Sequence, residues 1–169
     1  MRMSRKAKRP PPLRPFQFPP GFVLIIDTRE QTPLFTRLPK GLVMTSATVH
    51  DGDYTIKGFE SQFCIERKQM SDLWSYCSRE RDKTINKMKR FQDIRSAGGW
   101  CGLCVEDSEE NLWAGNTFSK VAPETVRSAL NSFRVRYGVH VYINKRRENI
   151  QRWVLDNAIK FYKIKREVV

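Results

Sequence analysis

Gly52-Asp53-Tyr54-Thr55-Ile56-Lys57-Gly58 and Gln62-Phe63-Cys64-Ile65-Glu66-Arg67-Lys68 read as the two arms of a strand pair joined around Gly58. β-branched and aromatic residues fill both arms, and Gly52 and Gly58 supply the backbone angles that reversals need. One carboxylate, Asp53, opens the first strand and another, Glu66, lies near the end of the second. The two can therefore meet at one edge of a sheet. Side chains alternate along a strand, which puts Glu66 and Lys68 on one face and Arg67 on the other. Phosphodiester hydrolysis needs an activated water, neutralisation of the transition-state charge and help for the leaving oxygen. A hard divalent cation held by carboxylates supplies these, and Lys68 is placed to orient the water or bind the developing oxyanion.

Upstream, Phe22-Val23-Leu24-Ile25-Ile26 is a continuous apolar run, the signature of a strand buried on both faces. It delivers Asp27 at its C-terminal end, where sites on such sheets collect, followed by Arg29 and Glu30. Leu42 to Val49 reads as a further strand, so the first part of the chain is expected to be a β meander. Helices follow: one opening with Ser71 as N-cap, one over 79–97 with Ile85, Met88, Phe91 and Ile94 at helical spacing, one over 124–137 and one over 149–163. Strands are expected over 100–106 and 139–143. Strands first, then alternating helix and strand, imply an α/β fold with a mixed central β-sheet flanked by α-helices.

The composition narrows the partners. The chain has 31 Lys and Arg against 18 Asp and Glu, a net charge of +13. Such an excess favours a polyanion, because neutralising phosphates releases condensed counterions. Nucleic acid comes first and an acidic membrane surface second. No apolar run is long enough to span a bilayer, and the basic N-terminus is followed by no apolar stretch of a secretory signal. Four cysteines scattered through core-like segments fit a reducing, intracellular setting. Residues 1–21 hold six of the nine prolines and six basic residues, and are expected to form a disordered basic, proline-rich arm ahead of a domain over 22–169. Arg79, Arg81 and Lys87 on the second helix, Lys145 and Arg146 at a strand–helix junction, and Arg29 are the candidate DNA contacts. Their bland alternative is a solvated face. Cys101-x-x-Cys104 has no second pair at ligand spacing and is expected to pack in the core. His50 and His140 have no partners that suggest zinc.

Asp27-Thr28-Arg29-Glu30-Gln31-Thr32-Pro33, Gly52-Asp53-Tyr54 and Glu66-Arg67-Lys68 with Asp72-Leu73 after it resemble the XPF-type nuclease domain, a family of the PD-(D/E)XK superfamily. That family carries Gly-Asp, a variable spacer, Glu-Arg-Lys, three residues and Asp, and the spacing is kept here through Asp72. The resemblance extends over most of residues 22–165. It implies a restriction-endonuclease-like core and a Mg²⁺- or Mn²⁺-dependent DNA endonuclease, with no small-molecule cofactor and no membrane. Asp53 and Glu66 would be the principal metal ligands, with the Arg67 carbonyl as a third and Asp27 as an added acidic residue. Lys68 would serve the water and the transition state. Glu30, Arg67 and Asp72 would support the motif. The resemblance further implies a homodimer on branched or structured DNA in repair, recombination or phage DNA processing. The expected setting is intracellular and DNA-associated: cytoplasm or nucleoid in a bacterial or phage-infected cell, nucleus in a eukaryote. Larger members often add tandem helix-hairpin-helix modules, whereas this sequence resembles the compact stand-alone members of bacterial or phage type. The alternative is a catalytically silent or partner-dependent DNA-binding subunit with a nuclease-like fold.

Overall fold

The computed structural model describes residues 13–117 and 119–167. Its centre is a six-stranded mixed sheet in the order β2-β1-β3-β4-β5-β6. The strands are β1 (Leu24–Asp27), β2 (Met44–Ala47), β3 (Tyr54–Ile56), β4 (Phe63–Gln69), β5 (Trp100–Glu106) and β6 (His140–Ile143). The helices are α1 (Met70–Cys77), α2 (Arg81–Ser96), α3 (Glu109–Ala114), α4 (Pro123–Tyr137) and α5 (Arg147–Glu167). None is long and apolar enough to cross a membrane.

The expected hairpin is present: β3 and β4 are antiparallel, with Tyr54 opposite Ile65, and Gly58 takes a positive φ of 83° in the turn. The expected meander is not. β2 runs parallel to β1 at the sheet margin, and β3 pairs antiparallel with the other side of β1. A parallel return needs a crossover, and residues 28–43 provide one. Its Leu34, Phe35 and Leu42 are buried in place of a helix. β5 and β6 then extend the sheet in parallel from β4, which requires the helical connections seen in the sequence.

Alternation divides the core into two clusters, one on each face. Phe63 and Ile65 of β4 and Cys104 of β5 pack with Ile150, Val154, Leu155, Ala158, Phe161 and Tyr162 of α5. Cys64 of β4 and Cys101, Leu103 and Val105 of β5 pack with α1, α2 and α4. Cys101 and Cys104 thus serve opposite faces, and all four cysteines are buried free thiols. Phe133 and Tyr137 are likewise core residues. Ser71 is not the N-cap: β4 runs straight into α1 with Gln69 at the junction and no side-chain cap. The short α3 was not anticipated. Its cap is local, Ser108 Oγ accepting from the Asn111 amide at 3.2 Å.

Residues 1–12 of the expected arm lie outside the described residues. Residues 13–21 lack regular secondary structure, yet Phe16 and Phe18 pack against the α5-side core. The Tyr162 hydroxyl of α5 donates to the Pro20 carbonyl at 3.1 Å.

Candidate active site

The ends of β1 and β4 and the turn before β3 converge on an open polar cleft of about 540 Å³. The backbone explains how. Asp27 N–H donates to the Asp53 carbonyl at 2.9 Å, and Asp53 N–H donates to the Ile65 carbonyl at 2.8 Å. Asp53 is therefore pinned between β1 and β4. Its Oδ2 accepts the Arg67 amide at 2.7 Å, which locks the carboxylate over the end of β4. The preceding Gly52 has φ of 79°, and a Cβ there would stand 2.8 Å from the Ile65 carbonyl oxygen. Only glycine lets the turn approach β4 that closely.

Glu66 is 1% exposed and faces α2. Lys87 donates to its Oε2 at 2.7 Å. Lys68 Nζ pairs with Oε1 at 2.6 Å, so each Glu66 oxygen faces a lysine. Burial pushes the Glu66 carboxyl up, but Lys87 and Lys68 outweigh it and hold the group below its usual range. Asp53 goes the other way. Burial, with the negative charge of Glu66, pushes it up to about 7, against the Arg67 amide and Lys68. Near neutrality the pair therefore carries one negative charge and part of a second. This repulsion is what a bound cation relieves.

Arg67 points to the opposite face, as alternation requires. It is 6% exposed, contacts Glu106 through Nε and donates to Glu30 Oε1 at 3.0 Å. Glu106 in turn pairs with Arg147 at 3.3 Å. Two arginines and two carboxylates so join β4, β5, the β1–β2 crossover and the start of α5. Asp27 is held by Arg29, whose Nε and Nη2 donate to Oδ1 and Oδ2 at 2.8 and 2.6 Å, and by the Val49 amide at 3.1 Å. The Arg29 hydrogen bond is the largest influence that brings Asp27 down to about 2.

The structure thus brings Asp53, Glu66 and Lys68 together, with Asp27, Arg29, Glu30, Arg67 and Asp72 around the same cleft. Among the described residues no three His, Cys, Asp or Glu side chains stand at metal-holding spacing, and both Asp27 oxygens accept from Arg29, with Val49 on Oδ2. Lys87 lies in the site and not on an outer basic face. Arg79 and Arg81 are exposed but outside the cleft lining, and Lys145 and Arg146 are exposed where β6 meets α5. Arg90, one of the basic residues of the helix read over 79–97 as a candidate for phosphate contact, pairs at 2.7 Å with Asp51, which sequence reasoning missed. Asp51 Oδ2 also lies 2.8 Å from His50 Nδ1 at the rim. Lys83, Lys87 and Arg90 are spaced i, i+4, i+7 on α2, one face of a helix.

The donor set suits a hard divalent cation: two carboxylates from adjoining strands and a mutual repulsion that keeps Asp53 near half-protonated.

A family model for the ERCC4 domain matches residues 26–156. No curated relative matches the chain. Among solved structures the chain is similar to XPF from Aeropyrum pernix, at 15% identity over 72% of this chain and 53% of that one, with a TM-score of 0.53. It is also similar to XPF from Aeropyrum pernix in complex with DNA, at 15% identity over 85% of this chain and 66% of that one, with a TM-score of 0.62. The chain so spans from about half to just under two thirds of those proteins. The likeness is one of fold: a mixed sheet with helices on both faces.

Proposed function

The chain belongs to the ERCC4 domain family, whose nuclease-like fold it carries, and on that premise we propose that it is a metal-dependent endonuclease acting on DNA. The observation that carries the proposal is the meeting of Asp53, from the turn before β3, with the end of β4, where buried Glu66 is paired to Lys68. Asp53 and Glu66 would hold Mg²⁺ or Mn²⁺, with the Arg67 carbonyl completing the protein ligands. A cation bound there would supply charge neutralisation at the phosphate and a more acidic coordinated water.

The chain's own residues take the remaining roles. Asp53, whose carboxyl is raised to about 7, would hold the cation as the carboxylate. Lys68 Nζ, already on Glu66, is the donor available to the attacking water and to the oxyanion that develops on phosphorus. The Arg67–Glu30 and Arg67–Glu106 contacts hold β4 rigid below the reacting groups. Asp27 fixes Arg29 at the rim, where its exposed guanidinium meets phosphate. Asp72, in the first turn of α1, lines the same cleft and supports Lys68 electrostatically.

Branched or structured DNA is the proposed substrate, a homodimer the proposed working form, and an intracellular, DNA-associated setting follows from that substrate. Residues 1–21 would act as a basic arm along the phosphate backbone, ahead of the nuclease domain. Labelled flap, fork, four-way, duplex and single-stranded DNAs, incubated with and without Mg²⁺ or Mn²⁺, test the activity, and light scattering tests the dimer. Folded Asp53→Asn and Glu66→Gln proteins should not cut any of them. Undiminished cleavage by both would refute the assignment.

One observation favours a second reading. Glu66 is neutralised by two lysines, so the site is partly self-satisfied and could belong to a silent or partner-dependent DNA-binding subunit. Wild-type protein that binds DNA but leaves it intact with either cation would establish that reading.

A further inference from the structure

Beside the cleft, and continuous with it through Lys68, Lys87 and Arg90, a groove of about 420 Å³ runs along α2. Tyr76, Glu80 and Lys83 complete the part that matters here. Tyr76 is 4% exposed, and its hydroxyl is buried with no hydrogen-bond partner among the described residues. A buried, unpaired hydroxyl is unfavourable unless something arrives to accept from it. Lys68 and Lys87 Nζ lie 5.0 and 6.0 Å from the Tyr76 ring centroid, and Phe133 packs edge-on to the ring. Lys83 is exposed and has no ion-pair partner among the described residues. Three of the cationic groups here lean on carboxylates, Lys68 and Lys87 on Glu66 and Arg90 on Asp51. Lys83 and the Tyr76 hydroxyl are what the groove holds in reserve.

We propose that this groove seats a second phosphate of the bound nucleic-acid strand, the neighbour of the phosphodiester in the cleft, with the Tyr76 hydroxyl donating to a non-bridging oxygen and Lys83 supplying charge. The strand then leaves the cleft along α2, over Lys87 and Arg90. Glu80, the carboxylate in the groove lining, has no ion-pair partner among the described residues and opposes the strand. The proposal rests on the nucleic-acid reading of the cleft but not on catalysis.

The test is equilibrium binding of a fluorescently labelled single-stranded oligonucleotide to the full chain, followed by anisotropy in EDTA so that no cleavage intervenes. Tyr76→Phe removes one oxygen that has no partner, so it should fold with unchanged or higher thermal stability while binding about tenfold more weakly. Lys83→Gln should weaken binding and lower the slope of log K against log salt by about 0.7. Glu80→Gln should tighten binding. Lys57→Gln, an exposed lysine in the β3–β4 turn, serves as the charge control and should leave the slope nearly unchanged. If Tyr76→Phe, Lys83→Gln and Glu80→Gln all bind as wild type does, the groove is not a phosphate seat, whether or not the protein cuts. If they shift binding as stated while wild-type protein fails to cut with any cation, the groove stands and the nuclease reading alone falls.

Discussion

Lys87 Nζ, from the second turn of α2, stands 2.7 Å from Oε2 of Glu66, a β4 carboxylate that is 1% exposed. The helix thereby donates a cation to the interior of the site from a distance of 21 residues in sequence. A buried carboxylate left with fewer cations is destabilised. Lys87→Met should therefore lower stability by about 1–3 kcal/mol, less than full loss of a buried pair because Lys68 remains. Glu66 is held below its usual range, so its contribution is present above the unfolded carboxyl range and is lost as pH falls. The Lys87→Met deficit should accordingly shrink in urea titrations carried toward pH 4. In a Glu66→Gln background the same substitution should cost much less, and an unchanged cost there would show that Lys87 does not act through Glu66.

Asp53 has the opposite sign. Its carboxyl is raised to about 7 by burial and by Glu66, so the folded state favours the protonated form. The contribution is fully present below the unfolded value near 3.8 and is lost as pH rises through about 7. Metal-free wild-type protein should lose on the order of a few kcal/mol relative to Asp53→Asn between pH 4 and pH 8. Millimolar Mn²⁺ should return most of that loss to wild type at pH 8 and none to Asp53→Asn. Parallel melting curves for the two proteins across that range would contradict the assigned burial and coupling.

Gly52 makes the site's geometry possible. Its φ of 79° is strained for any L side chain, and a Cβ would meet the Ile65 carbonyl at 2.8 Å. Gly52→Ala should destabilise the protein by about 2–4 kcal/mol and push the turn away from β4. That movement breaks the Asp53–Arg67 amide contact, so Mn²⁺ affinity measured by calorimetry should fall together with stability. Gly58→Ala has the same unusual φ but open space around its Cβ. It should show the smaller, purely backbone penalty and keep its cation affinity.

Much of this was legible in the chain because short-range rules governed it. Strand alternation placed Glu66 and Lys68 together and sent Arg67 across the sheet, and it also separated Cys101 from Cys104. The apolar run before Asp27 gave a strand buried on both faces. What was not legible depended on long-range choices. The crossover through Leu34 and Phe35 put β2 parallel to β1, and nothing local distinguishes that from a meander. Lys87 read as one basic residue among many, since only the packing of Thr84, Met88 and Phe91 decides which side of α2 meets β4. Asp27 looked like a ligand by position, and its capture by Arg29 two residues later could be seen only once the β1 end and the Val49 amide were in place.

That capture makes a last prediction separable into two effects. Asp27 accepts from the Arg29 amide, the Arg29 side chain and the Val49 amide, so it ties the end of β1 to the segment that leads into Asp51 and Asp53. Its side chain is 2% exposed, whereas that of Arg29 is 69% exposed. Asp27→Asn should lower stability by on the order of 1 kcal/mol at neutral pH, because a neutral amide cannot satisfy those donors equally. The deficit should fade as pH drops toward 2, where Asp27 itself becomes protonated. Arg29→Gln should melt close to wild type, since the carboxylate keeps both backbone amides and the lost group faces solvent. Both variants should bind nucleic acid more weakly by a similar factor, because each removes a fixed guanidinium from the rim. If Arg29→Gln bound normally while Asp27→Asn did not, Asp27 would be acting at the metal and not through Arg29, and its place among the cation ligands would be restored.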